Sequence, residues 1–527
     1  MNAWLRVFAS LTMAICIRNS NAAIIPDFQV NPQDTAFIWQ MTTDIAFQPN
    51  ESFVVVWEDR GEDNDNRQVY FQRYDSLGNP IGSTVQVSDT STGFFNQECR
   101  IATDSAGNFA ICYASAKFSG VDSTSGWNIY LRDIWVRLYS SEGQPLTSAI
   151  KVDIDRPDPI QNPGGYSEDS PDIACHKSGQ FVVAWAEEIF SDTVPFPIKK
   201  RIYSQFFDTN GQRMGNNIWA SEIDTGEAKV NNTFAEVGIT DNGYVLVSWE
   251  GLVKKSDGFV YSLPVGSLFS LDGINLRKGF LIISPNDPVW AGAGFIDVNV
   301  TPNNDFVVAC KARDILGTYP NGTIVVLRLD TSGNPLNPPQ SAVDTFDIGD
   351  PFTMPKVNAG SSGYVVIWSD RRTLLDENAE DRERNLMAQR FDYNDQPIGR
   401  NYRINGPFGS LQQNWQWYDL DFSSQDKVAF AWSDFRNFPT YHYDIYAKIL
   451  DFSDIGAYVS GDLNQDGQAN IADVIFLVNY VFKGGIKPFP LFTADVNADC
   501  KVNLADIIYY VNYVFKSGPQ PKVGCVK

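Results

Sequence analysis

Histidine is almost missing: His176 and His442 are the only two in 527 residues, which argues against a histidine-based catalytic triad. Basic charge is scarce as well. Lysine and arginine number 41 against 63 aspartates and glutamates, a formal net charge of −22, and a chain this acidic is repelled by nucleic acid and anionic membranes. Calcium or a neutral ligand suits it better. Beyond the N-terminus no apolar run approaches the roughly 18 residues of a membrane helix, so the sequence predicts a soluble mature protein without a membrane span.

Residues 1–22 combine Arg6, an apolar run from Val7 to Ile17 and a small-residue exit at Ser20-Asn21-Ala22. That order predicts a secretory signal peptide and places the protein outside the cell or at its surface. Losing Arg6 and Arg18 with the signal takes the formal charge to −24. Of seven cysteines, Cys16 lies in the signal, which leaves six in an oxidising compartment. Cys99 and Cys112 flank the turn "DSAG" and are expected to face each other across a hairpin, where a disulfide is sterically allowed. Cys500 and Cys525 are placed to staple the chain near its end, and Cys175 and Cys310 fall at apolar repeat positions and read as packed thiols.

One phrase recurs through the middle of the chain: "SFVVVW" (52–57), "NFAICY" (108–113), "QFVVAW" (180–185), "YVLVSW" (244–249), "DFVVAC" (305–310), "YVVIW" (364–368) and "VAFAW" (428–432). Each copy follows a strand-like run and a polar turn and precedes a further strand such as "VYFQRYD". β-Branched and aromatic residues between Gly, Asn and Pro turns give four strands per unit of about 60 residues. The seventh unit lacks a final strand after "DIYAKILDF", and the N-terminal "DFQV" supplies one. Residues 23–455 are therefore predicted to form a seven-bladed β-propeller closed by its own N-terminal strand, with an open array of sandwich domains as the alternative. The repeats resemble those of secreted bacterial surface proteins.

Near the end stands "GDLNQDGQANIADVIFLVNYVF", and "DVNADCKVNLADIIYYVNYVF" repeats it 33 residues later. A calcium loop wants oxygen ligands at positions one, three and five, a carbonyl at seven, often a water at nine and a carboxylate at twelve. The first loop offers Asp462, Asn464, Asp466, the Gln468 carbonyl, Asn470 and Asp473; the second offers Asp495, Asn497, Asp499, the Lys501 carbonyl, Asn503 and Asp506. Both loops end in Asp, and "DFSDIGAYVS" before the first lacks helical periodicity. Together these features resemble a type I dockerin, predicted over 459–527 with loop-helix repeats at 462–482 and 495–515.

The resemblance implies an all-α module binding two calcium ions and docking onto a cohesin. Its partner contacts map onto Ile471, Ala472, Val478 and Asn479, and onto Leu504, Ala505, Val511 and Asn512. The near-equivalent halves allow docking in two orientations. The same apolar residues can instead form the module's own core. One departure is Cys500, where glycine is usual at the sixth position, so the second loop is either strained or stapled through Cys525.

Long, individual loops follow the second strands, as in "EDRGEDNDNRQ" and "DRRTLLDENAEDRERN", and such loops are where function usually sits. Arg60, Arg313, Arg371 and Arg436 recur by blade, which favours a structural Asp-Arg brace over an anion clamp. The aromatics Trp39, Phe95, Tyr166, Phe234, Trp290, Phe352 and Trp417 recur likewise and read as interblade packing; only Trp415 is extra. No carboxylate pair is singled out, although Glu187, Glu188, Asp376 and Glu377 lie in irregular loops and are the first acids to test. The preferred expectation is a non-catalytic propeller binding a glycan or protein. The alternatives are a carbohydrate-active enzyme, such as a glycoside hydrolase, and a purely structural surface protein.

Overall fold

A computed structural model of the chain describes residues 25–526 apart from 32–38, 61–66, 89–94, 122–127, 154–165, 192–193, 222–228, 255–259, 285–286, 345–350, 352–353, 372–383, 408, 410, 412–417 and 437–442. The expected signal peptide lies outside the described residues.

Seven four-stranded antiparallel sheets follow one another around a ring. The first runs through Gln40–Phe47, Phe53–Asp59, Gln68–Tyr74 and Pro80–Gln86 from the channel outward. The next five begin with the inner strands Phe95–Thr103, Tyr166–Cys175, Lys229–Ile239, Trp290–Val300 and Lys356–Ala359. In the seventh, Tyr418–Phe422, Lys427–Asp434 and Asp444–Asp451 are joined by Ile25–Gln29, so the ring closes between its two ends. Asp27 secures that closure, accepting from Arg436 (2.9 Å) and lying 3.6 Å from the Lys448 ammonium.

The recurring phrase is the second strand of each blade. Its residues are almost entirely buried because both faces of that strand meet a neighbouring blade: Val55 and Trp57 pack toward the seventh blade, Val54 and Val56 toward the second. This is why the pattern reads as a continuous apolar run and not as an alternation. Turns such as Asp75–Asn79 are held by the Asp75 carboxylate accepting the amides of Leu77 and Asn79, with Gly78 at φ 81°.

Cys99 and Cys112 do not pair. Both are free and buried. A bulge between Gln97 and Arg100 shifts the register so that Cys112 opposes Arg100. Cys99 then packs between the first and second blades and Cys112 between the second and third. Cys310 is also a free buried thiol, and Cys175 a free, half-buried one.

After the ring come two helices, α1 (Ile471–Lys483) and α2 (Leu504–Lys516), each opened by a capping box, Asn470 with Asp473 and Asn503 with Asp506. Leu463, Val474, Leu477, Val496, Ile507 and Tyr510 form their shared core.

Candidate functional site

The propeller face where second strands run into third strands holds a cavity of about 440 Å³, lined by Thr42, Glu58, Arg60, Arg67, Glu98, Asp169, Lys200 and Phe234 among others. Its floor is built by one device repeated around the ring. Inner strands carry a bulge whose residue takes a left-handed conformation: Thr42 (φ 34°), Glu98 (56°), Ser170 (48°), Phe234 (55°) and Phe295 (54°). Such backbone is costly for residues with a Cβ, and most for bulky ones. Bulges re-aim a side chain next to functional sites, and here the position carries Thr, Glu, Ser or Phe in the five blades that show it.

Glu98 is the acid among them. Its carboxyl accepts the amide of Ser170 (2.9 Å) and shares a hydrogen bond with Asp169. Burial, then the Asp169 charge, push Glu98 up to about 8. Although burial opposes ionisation of Asp169, Arg132 at 3.1 Å and the bond to Glu98 hold it below the ordinary range. Two touching carboxyls with pKa values driven apart form a proton donor and its anionic support. Glu58 lies in the same cavity, 3.4 Å from Arg60 and 3.5 Å from Arg67, and accepts from Thr42.

Deeper in the channel each blade presents one ionisable residue, Asp44, Arg100, Asp172, Glu236, Asp297, Lys356 and Asp419, opposite the position before the residue that ends the recurring phrase, an aromatic in six blades and Cys310 in the fifth. Lys356 donates to Asp297 (2.7 Å) and Glu236 (3.3 Å). Burial above all raises Asp44 and Glu236 well beyond the carboxylate range. Of these residues all but Arg100 line one cavity of about 200 Å³.

Of the acids singled out in sequence, Glu187 and Glu188 are not among the residues lining the Glu98 cavity. Glu187 is buried 3.7 Å from Arg201, and Glu188 is paired with Lys200. Asp376, Glu377, Phe352, Trp415, Trp417 and His442 lie outside the described residues. Arg60 and Arg436 brace acids of their own blades, Glu58 and Asp434. Trp39 lies edge-on to Tyr443 and beneath Arg60, and Phe95 beneath Arg67. Phe234 is not equivalent to these, because it occupies the bulge.

In the helical region Asp462, Asp466 and Asp473 bring carboxylate oxygens within 4.8 Å of one another. Burial, then the charges of Asp473 and Asp466, raise Asp462 to about 7. This oxygen-rich, charge-crowded set fits a hard cation. Asn464, the Gln468 carbonyl and Asn470 are the further donors expected of the first loop; Asp495, Asn497, Asp499, the Lys501 carbonyl, Asn503 and Asp506 occupy the corresponding sequence positions in the second.

The family model of the dockerin type I domain matches residues 460–515. Residues 460–515 are a type I dockerin domain. Type I dockerins bind calcium, and the module implies a cohesin partner. On the dockerin Ile471, Ala472, Leu504 and Ala505 are exposed, while Val478, Asn479, Val511 and Asn512 are half-buried. The two valines pack against the edge of the helical core. Ile475, Phe482, Ile508 and Phe515 extend each exposed stripe, a signal present in the sequence as apolar residues at helical spacing.

No curated protein matches the sequence. Among solved structures, the chain is similar to a Penicillium chrysogenum α-L-arabinanase complexed with arabinobiose (10% identity, 82% of this chain and 99% of that one, TM-score 0.44). It is similar to a GH93 α-L-arabinofuranosidase of Fusarium graminearum (11%, 82% and 99%, TM-score 0.41). A PL25 ulvan lyase bound to its saccharide is a further relative in fold (10%, 82% and 98%, TM-score 0.46). By their names these proteins are carbohydrate-active enzymes, which runs against the preferred sequence expectation of a non-catalytic binding propeller; that expectation is set aside, and its enzyme alternative is taken up below as a proposal. Among the described residues no helix is long and apolar enough to cross a membrane.

Proposed function

We propose that the propeller is a secreted glycoside hydrolase acting on a polysaccharide, and that its dockerin, holding one calcium ion in each loop, attaches it to a cohesin-bearing partner. The observation that carries this reading is the Glu98–Asp169 pair in the cavity on the loop-bearing face. Glu98, protonated at neutral pH, gives its proton to the glycosidic oxygen as the bond to the sugar breaks. Asp169 positions that carboxyl and keeps its own charge against Arg132. Glu58, flanked by Arg60 and Arg67, is the second carboxyl group that glycoside cleavage requires. A dockerin commonly accompanies glycan-degrading enzymes, which agrees with this assignment.

The test is release of reducing ends from a panel of plant and algal polysaccharides by the purified full chain. Glu98→Gln is expected to lower kcat by about two to four orders of magnitude with an unchanged circular dichroism spectrum. Full activity in Glu98→Gln, or no cleavage of any polymer by the unaltered protein, overturns the proposal.

A further inference from the structure

The two calcium loops are built differently. In the first, the position-one carboxylate Asp462 accepts the amides of Asp466 (3.1 Å) and Gly467 (2.9 Å), and the chain turns at Gly467 with φ 86°. In the second, Asp495 accepts Asp499 (3.0 Å) and Cys500 (3.0 Å) in the same way, but Cys500 makes the turn at φ 63°. Glycine takes that conformation freely and other residues do not.

Asp495 also accepts two amides that the first loop lacks. Cys525 donates at 2.9 Å and Val526 at 3.3 Å, both to Oδ2, the oxygen that already holds Cys500. Cys525 is brought there by its disulfide to Cys500. The segment leading to it is seated by the Lys522 amide on the Val496 carbonyl (2.9 Å). Gly524 passes so closely that an added Cβ would lie 2.3 Å from the Phe492 oxygen and 2.6 Å from the Asp495 Cβ. Asp495 is completely buried as a result.

We infer that the segment 522–526, tied by the Cys500–Cys525 disulfide, is a working part of the second calcium site, and that its hold on Asp495 makes this site, and not the first, sensitive to thiol reduction. The inference rests on the reading that both loops take calcium. The disulfide and the Cys525 and Val526 amides are positioning groups: they would act on the ion only through the ligand residue Asp495. A dithiol reductant supplies two electrons and two protons, the S–S bond becomes two thiols, and the reductant closes to its own disulfide. Asp495 then loses the tether that fixes its carboxylate, while Asp462 is untouched. Removing a group that orients a metal ligand typically costs about 10- to 100-fold in affinity.

Calorimetric titration of calcium chloride into the decalcified full chain tests this. The oxidised protein is expected to show two sites. Reduction with dithiothreitol, or the double variant Cys500→Ser/Cys525→Ser, is expected to weaken one of them by about 10- to 100-fold and leave the other as an internal control of folding. Asp462→Asn identifies the surviving site as the first loop. Cys500→Gly/Cys525→Ser relieves the turn without restoring the tether and should remain weak; full recovery there shows that the turn alone mattered and overturns the role of the segment. Equal affinities before and after reduction overturn the inference and leave the calcium reading standing. An oxidised chain that binds no calcium overturns both.

Discussion

Arg403, buried at the end of the outer strand of the sixth blade, donates two hydrogen bonds to the side-chain oxygen of Gln465, at 3.2 and 3.1 Å. Gln465 is the fourth residue of the loop read as the first calcium site, so propeller and dockerin meet at that loop. Arg403 lies over Phe489, Arg400 over Phe492, and the Tyr458 hydroxyl donates to the Asn401 carbonyl (2.7 Å). Burial lowers the Arg403 guanidinium to about 10. Arg403→Ala is expected to cost about 1.5–3 kcal/mol at this contact, the range for hydrogen bonds to charged groups. Hydrogen exchange should quicken across 458–470, with the propeller strands unaffected.

Asp27 gives a second prediction, at the ring closure. Burial opposes its ionisation, but Lys448, Arg436 and the Gly406 amide together hold its carboxyl below the ordinary range. Asp27→Ala leaves Arg436 and the buried Lys448 without that partner. The expected loss is about 3–5 kcal/mol, as for one side of a buried ion pair, read as an earlier thermal transition. Deleting residues 23–34 removes the strand itself and should bring aggregation, since the outer edge of Asp444–Asp451 is bared. A monomer of unchanged melting temperature contradicts both expectations.

The proton on Glu98 makes pH an independent probe. Folded Glu98 keeps its proton up to about 8, whereas its ordinary value is 4.5. The folded state therefore binds more protons than the unfolded chain between those values, and stability falls as pH rises through that window. Catalytic rate should fall above about pH 8 as the donor ionises. In Glu98→Gln the stability slope from this residue should vanish, which urea titrations at pH 5 and 8 can read.

Chelation supplies the fourth test. Asp462, Asp466 and Asp473 crowd together without an ion to neutralise them, so removing calcium should lower the melting transition of the dockerin and leave that of the propeller in place. A single unchanged transition with and without chelator contradicts the calcium assignment.

Much of this was legible in sequence because it is local. The residues read as ligands of each calcium loop fall within twelve consecutive positions, and the second strands repeat because each is buried between apolar neighbours. The candidate site was illegible for the opposite reason. Glu98 stands at a repeated position where the other blades carry Thr42, Ser170, Phe234 and Phe295, and only the left-handed bulge turns that position to the cavity. The same bulge displaces Cys99 from Cys112. Its trace in the sequence is weak: an ionisable residue eight or nine places before each second strand, of which Asp44, Arg100 and Lys356 are instances, with the bulge just ahead of it.

The closing strand sets the order in which the molecule is made. Ile25–Gln29 leaves the ribosome before every blade, yet its partner Asp444–Asp451 emerges after six of them, and Asp27 meets Arg436 across 409 positions. Contacts of such separation form slowly, so the strand must wait unpaired while the blades assemble. Its composition suits the wait. Pro26 withholds an amide and Asp27 brings a charge, the features by which exposed strands resist pairing with other chains. The last step of folding then delivers that charge to Arg436 and Lys448, and a ring locked around the wrong strand would leave the buried Lys448 without this carboxylate.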